Sequence, residues 1–461
     1  MNKADDTSGP KVPLVRPRFR EHPVEFLLGL FGEVRPGELP TVLLLAANVF
    51  VLLSAYYLLK VAREPLILLG GGAEVKSYAS VGQAILLIFV ANGYSWLAGR
   101  VGRITLISSV TFFFAANLVV FWLLGRRGVP LGVPFFLWVG VFNIVTTAQF
   151  WSFAADTYTE EQGKRLFPIV GIGSSVGAIG GSAIADPLIK LGSPYLLMLL
   201  AAAMLVFALG LTILVHRREV RHPVEATATP RDAPLGEGNA FKLVLSDRYL
   251  LLIAALIFVL NIVTKTGDYV LDRMLVAQAP VEAHALGVQA AVYIGQFKAR
   301  YFNAINSLTV LSQLFLVSRV IKYTGLRVAL VLVPLASLGG YGVGFVVPLI
   351  GVLFVGRVLE SSLDYSLSNT SRQALWLVTS RSAKYKAKQV IDTCVMRGGD
   401  AVSAGLVWFG TRVALTPRNF LFINVVLSAA WVAVALWVGS EYRRRSDLAP
   451  AAGKMPGGVP A

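Results

Sequence analysis

Residues 77–124 read SYASVGQAILLIFVANGYSWLAGRVGRITLISSVTFFFAANLVVFWLL. Two apolar runs, Ser77–Leu97 and Ile104–Leu124, flank a short basic turn, Ala98-Gly99-Arg100-Val101-Gly102-Arg103. Each run is about the 20 residues needed to cross the hydrocarbon core of a bilayer. Basic residues held in a short gap between two such runs mark the cytoplasmic side of a membrane protein. The same pattern extends in both directions. Upstream lies Leu39–Leu59. Downstream come Val133–Ala155, Leu166–Leu188, Tyr195–Val215, Tyr249–Tyr269, Tyr301–Ile321, Val328–Val346, Leu349–Val378, Val390–Val413 and Phe420–Val438. The expectation is an all-α polytopic membrane protein of twelve transmembrane helices in two pseudo-symmetric six-helix halves.

The composition fits. Of the 461 residues, 55% are hydrophobic and 15% charged, against about a quarter charged in soluble chains, and the net charge is +16. Mean hydropathy is +0.66. The excess of Lys and Arg sits in alternate gaps and at the ends, as in 216–221 and 443–445, so topology accounts for it and no nucleic-acid partner is expected. Both termini are placed in the cytoplasm of a bacterial inner membrane. The domain reading is a tail and interfacial helix (1–38, with the helix at 22–33), a first half (39–215), a cytoplasmic linker (216–248), a second half (249–440) and a tail (441–461). Residues 273–300 are expected to form a long, partly helical outside connection. Cys394 is the one cysteine and the four histidines lie outside the apolar runs, so no disulfide, metal or cofactor is expected, and no reaction constellation is seen.

Charges near apolar runs mark the candidate site, because a charge at mid-membrane depth costs about 2.5–3.5 kcal/mol and faces a cavity or a partner. Lys60, Arg63 and Glu64 fall at i, i+3 and i+4 and share a helix face. Lys265 and Asp268 are spaced to pair at i, i+3. Arg357, Glu360 and Asp364 share a face, as do Asp392 and Met396 with Lys388 a turn earlier. Phe150-Trp151 and Asp156 precede the basic run that opens the next span, and Arg397 and Asp400 follow Asp392. Gly173, Gly177 and Gly181 recur every four residues; no strand precedes them, so they read as close helix packing and not as a phosphate loop.

The turn Gly93-Tyr-Ser-Trp-Leu97-Ala98-Gly99-Arg100-Val-Gly102-Arg103 resembles the signature loop of the major facilitator superfamily, with Gly99 where that loop carries Asp. A related run, Ser318-Arg319-Val-Ile-Lys322-Tyr-Thr-Gly325-Leu-Arg327, follows the eighth span. The stretches 34–38, 57–66, 150–182, 261–273 and 360–405 resemble the ATP/ADP translocase family of nucleotide transporters, in its free-living bacterial branch. The resemblance implies a facilitator-type fold and exchange of nucleotides by alternating access. It implies that Lys60, Arg63 and Lys388 act in transport. With Arg397 they would bind phosphates, while Tyr57 or Trp151 stacks a base. Glu64, Asp156, Lys265, Asp268, Arg357, Glu360, Asp364 and Asp392 would then pair charges or carry protons. Arg300-Tyr301 stands where the family has a Glu-Tyr pair, which widens the expected substrate from ATP and ADP to related phosphorylated anions. Two alternatives stand beside this reading: a proton-coupled carrier of another organic anion or a lipid-like solute, and a membrane sensor or anchor that transports nothing.

Overall fold

The computed structural model describes residues 34–35, 37–191, 193–221, 240–379, 383 and 387–452. The expected interfacial helix at 22–33, most of the linker and the basic run at 384–386 lie outside them. Every regular element among the described residues is helical. In chain order these are α1 (Leu39–Ala98), α2 (Arg103–Arg126), α3 (Gly132–Thr157), α4 (Glu160–Leu191), α5 (Pro194–Arg221), α6 (Ala240–Ser246), α7 (Arg248–Ala285), α8 (Ala290–Leu311), α9 (Ser318–Val346), α10 (Ile350–Leu363), α11 (Asn369–Leu375), α12 (Lys388–Val390), α13 (Met396–Arg412) and α14 (Pro417–Ala452). Eight helical stretches of the described chain are long and apolar enough to cross a membrane.

Two of these stretches hold more than one of the expected apolar runs. α1 is broken at Gly72, whose φ of 77° is one that a side chain disfavours and glycine adopts freely. The break falls between the runs Leu39–Leu59 and Ser77–Leu97. α8 continues through a π turn at Ser312–Val317 into α9, which is broken at Gly325 with φ 80°. That break lies inside the Ser318–Arg327 run. Two more π turns, Asp364–Ser368 and Ile391–Val395, interrupt the late charged segments. Such turns add a residue to the helical repeat and shift the face that follows.

The stretch 273–300 is largely helical, since α7 runs on to Ala285 and α8 begins at Ala290, and some charged residues of these two helices, Asp272 and Lys298 among them, are buried in the fold. Lys298 is 3% exposed. The helices tolerate these charges because partners on other helices neutralise them, which apolar run length does not register.

Gly173, Gly177 and Gly181 pack α4 directly onto α1. A Cβ at these positions would stand 2.3, 2.4 and 2.5 Å from the carbonyl oxygens of Ala46, Phe50 and Ser54. The Ser54 hydroxyl donates to the Gly177 carbonyl at 3.0 Å. Contact this close is how helices associate without a hydrophobic drive in lipid. Large apolar side chains such as Ile88, Phe89, Phe113, Phe207 and Trp437 lie on the outside of the molecule, as lipid contact requires.

Polar bridges between the first half (α1–α5) and the second (α7–α14) gather at one end. The Tyr57 hydroxyl donates to Asn306 at 2.9 Å. The Asn306 and Asn303 amides donate to the carbonyls of Ala178 and Ile179. Gln296 and Arg300 donate to Asp186 at 2.8 and 3.1 Å, and Tyr269 donates to Glu74 at 2.8 Å. These residues are Tyr57 and Glu74 of α1, Ala178, Ile179 and Asp186 of α4, Tyr269 of α7, and Gln296, Arg300, Asn303 and Asn306 of α8.

Candidate functional site

A cavity of about 250 Å³ lies between the halves beside these bridges. It is lined from α1, α3, α7, α8, α10 and α13, with residue 365 from a π turn. Six cationic side chains line it (Lys60, Arg63, Lys76, Lys265, Lys298 and Arg357) against four carboxylates (Glu64, Asp268, Asp272 and Asp400), an excess of two positive charges.

Most of the cations are neutralised in two networks. In the first, the fully buried Glu64 meets Arg63 at 3.3 Å, Lys76, and Lys298 at 3.6 Å. Asp272 meets Lys76 at 2.7 Å and also Lys298. This network ties α1 to α7 and α8 and therefore spans the two halves. In the second, Arg357 is 1% exposed, meets Glu360 at 2.7 Å and donates to Asp268 and to the Tyr341 hydroxyl. The Thr264 hydroxyl donates to the other Glu360 oxygen at 3.4 Å. Burying such charges is tolerable because each has partners; removing one partner leaves an uncompensated charge in a low dielectric.

Two lining cations stand apart. The Lys60 ammonium lies over the rings of Phe302, Tyr57 and Tyr56, at 4.1, 4.9 and 5.9 Å from their centroids, and has no carboxylate within ion-pair distance among the described residues. Ring faces attract a cation but leave its charge in place. Lys265 also lines the cavity and makes no ion pair within 4 Å among the described residues, although its charge still acts on Asp268. Asp268, spaced to pair with it, instead contacts Arg357 of α10. A guanidinium fixed by Glu360 and Tyr341 offers a better-organised donor than a flexible lysine on the same helix.

The other expected residues are distributed as follows. Arg63 lines the cavity and its guanidinium stacks on Phe136 at 4.7 Å. Glu360 joins Arg357, but Asp364 does not; it lies in the π turn and meets Arg372 at 2.9 Å. Lys388 is off the cavity and donates to Gln373 at 2.6 Å. The expectation that it faces the same space as Lys60 and Arg63 does not hold in this conformation. Arg397 pairs with Asp400 at 3.1 Å, and Trp151 packs on Phe150 and Phe167 away from the cavity. Asp156 meets Arg103 at 3.6 Å, joining the signature turn to the end of α3. Asp392 is exposed and makes no ion pair among the described residues. The sequence reading missed Lys76, Asp272 and Lys298. The available signal was the i, i+4 spacing of Asp268 and Asp272, which puts a second carboxylate on the cavity face of α7.

Solved structures with the same course of helices include a bacterial homologue of the human lysosomal transporter Spinster, inward-facing and unoccupied. It has a TM-score of 0.59 and 14% identity over 89% of this chain and 99% of that one. A bacterial homologue of the iron transporter ferroportin, inward-facing, has a TM-score of 0.61 and 12% identity over 88% and 98%. The helical membrane fold is the one these solved transporters share. No family model matches the chain. Among curated proteins, it is 22% identical to ADP,ATP carrier protein 2 of Chlamydia pneumoniae over 87% of this chain and 88% of that protein. It is 23% identical to the chloroplastic ADP,ATP carrier protein 1 of Arabidopsis thaliana over 64% and 51%. These relatives are distant, and the chain is similar to them along most of its length.

Proposed function

We propose that this protein is a secondary transporter of a nucleotide or a related phosphorylated anion, working by alternating access in a bacterial inner membrane. The observation that carries the reading is the cavity between the halves, which has more cations than carboxylates and holds Lys60 among aromatic rings with no carboxylate in ion-pair reach among the described residues. An intramembrane cation with no protein counterion is a place for an anion. Similarity to ADP,ATP carriers supports a nucleotide as that anion. The twelve-span topology with both termini in the cytoplasm puts the bridged end outside, so the structure is inward-facing in this reading. Lys60 and Arg63 bind phosphate, and Tyr57 or Phe302 faces the rest of the ligand. Lys388, Arg397 and Trp151 have no part in the closed-end cavity.

The test is transport by the purified protein in liposomes, with uptake of labelled ATP and ADP driven by internal nucleotide, alongside a melting-temperature panel of nucleotides, other organic anions and lipids. Nucleotide should raise the melting temperature and exchange across the membrane. Lys60→Gln should lower affinity by about tenfold or more, as expected for a lost charge-assisted contact. Stabilisation by a non-nucleotide anion alone would transfer the reading to that solute class.

A further inference from the structure

We infer that Lys265 is the second anion-binding lysine of the cavity and that, with Lys60, it selects a substrate carrying charge on two adjoining groups, such as a pyrophosphate-bearing nucleotide. The inference rests on the transport reading above and goes beyond it by assigning a residue and a charge requirement.

Among the six cations that line the cavity, Arg63, Lys76, Lys298 and Arg357 each face a carboxylate within 4 Å. Lys60 and Lys265 do not, among the described residues. A ligand can therefore meet these two without breaking a protein ion pair. Contact with any of the other four must first compete with a buried carboxylate. Lys265 reaches the cavity from α7, in the half opposite to Lys60.

The two lysines come from different halves, Lys60 from α1 and Lys265 from α7, and each is followed three residues later by a charged residue, Arg63 and Asp268. In α7 that residue is held by Arg357. The Lys265 ammonium is left to the cavity as a result. The arrangement matters for transport. A ligand shifts a conformational equilibrium only by binding its states unequally. An anion gripped by both lysines draws the two halves together, whereas one that meets a single lysine touches one half alone. A substrate with one charged group satisfies Lys60 or Lys265, and one with two groups satisfies both.

The experiment compares ADP, AMP, pyrophosphate and phosphate binding to the full-length protein in detergent, by melting temperature and titration, for wild type, Lys265→Gln and Lys265→Arg. Wild type is expected to prefer ADP to AMP and pyrophosphate to phosphate. Lys265→Gln should lower ADP affinity by about tenfold or more and AMP affinity by much less, collapsing the preference. Lys265→Arg should restore part of it. A Lys265→Gln protein that keeps the wild-type preference overturns this inference and leaves the transport reading standing. A wild-type protein that binds none of the four probes overturns the transport reading itself. A measurement that needs no variant runs in parallel: ADP should protect Lys265 from an amine-reactive reagent, read by mass spectrometry, and AMP should protect it less. Equal labelling of Lys265 with and without ADP counts against the inference even if Lys265→Gln fails to fold.

Discussion

The carboxylates of Glu64 and Asp272, one from each half of the protein, are held together by the same two ammonium groups, those of Lys76 and Lys298. Neither carboxylate could be this deeply buried alone, and neither lysine belongs to one half's chemistry only. The cluster ties the two halves together beside the cavity, and under the alternating access proposed above it is a seal that the opposite conformation must break. It also removes two lysines from ligand binding, which leaves Lys60 and Lys265 to meet an anion.

Loss of one carboxylate should open this seal. Asp272→Asn leaves Arg63, Lys76 and Lys298 around Glu64 alone, and breaking a buried pair typically costs about 3–5 kcal/mol. In a Cys394→Ser background, a cysteine at position 296, now 8% exposed, should label faster when Asp272→Asn is added, and the melting temperature should fall. Unchanged labelling and melting would show that the cluster does not hold the end closed.

The contact between α4 and α1 gives a test with an internal control. Gly177→Ala puts a Cβ 2.4 Å from the Phe50 carbonyl oxygen, a backbone atom that cannot rotate away. Overpacking of this kind should destabilise by about 1–3 kcal/mol. Gly210→Ala on α5 meets nothing within 4 Å and should be neutral or stabilising by up to about 1 kcal/mol, the usual gain of alanine over glycine in a helix. Thermal unfolding of both variants decides it, and equal effects would contradict the close packing.

Asp247 caps α7, its side chain accepting from the Tyr249 and Leu250 amides and from Arg445 at 2.6 Å. Burial alone would raise its pKa, but the Arg445 and Tyr249 hydrogen bonds outweigh burial and hold it below the usual aspartate value of 3.8. A depressed folded-state pKa contributes stability that is complete above the unfolded value and disappears as pH falls through the folded one. Asp247→Ala should therefore lower stability at neutral pH by about 0.5–2 kcal/mol, the typical worth of a cap. The difference from wild type should shrink only below about pH 4. A difference that stays constant down to pH 2 would rule out the ionised cap.

The topology is open to a labelling test. In the Cys394→Ser protein, an impermeant thiol reagent added to intact cells should reach a cysteine at Val129, in the turn after α2, and miss one at Ser446 near the end of α14. The basis is the run Arg443–Arg445 beside Ser446, since basic residues are retained in the cytoplasm. Labelling of position 446 from outside would invert the reading and make the sealed end cytoplasmic.

The sequence by itself determined the helical membrane class, because run length and the placement of Lys and Arg act locally and obey the bilayer. It also determined the shared face of Lys60 and Arg63, which follows from helical periodicity, and the close packing of Gly173, Gly177 and Gly181. The tertiary structure decided which charges are spent on one another. The spacing of Lys265 and Asp268 permits a pair, yet Asp268 joins Arg357, 89 residues away, because that guanidinium is already oriented by Glu360 and Tyr341. Likewise nothing in the local pattern around Lys76 or Lys298 names Glu64 and Asp272 as partners. Buried charges choose partners by position in space and by the desolvation they share, and those depend on how the two halves meet.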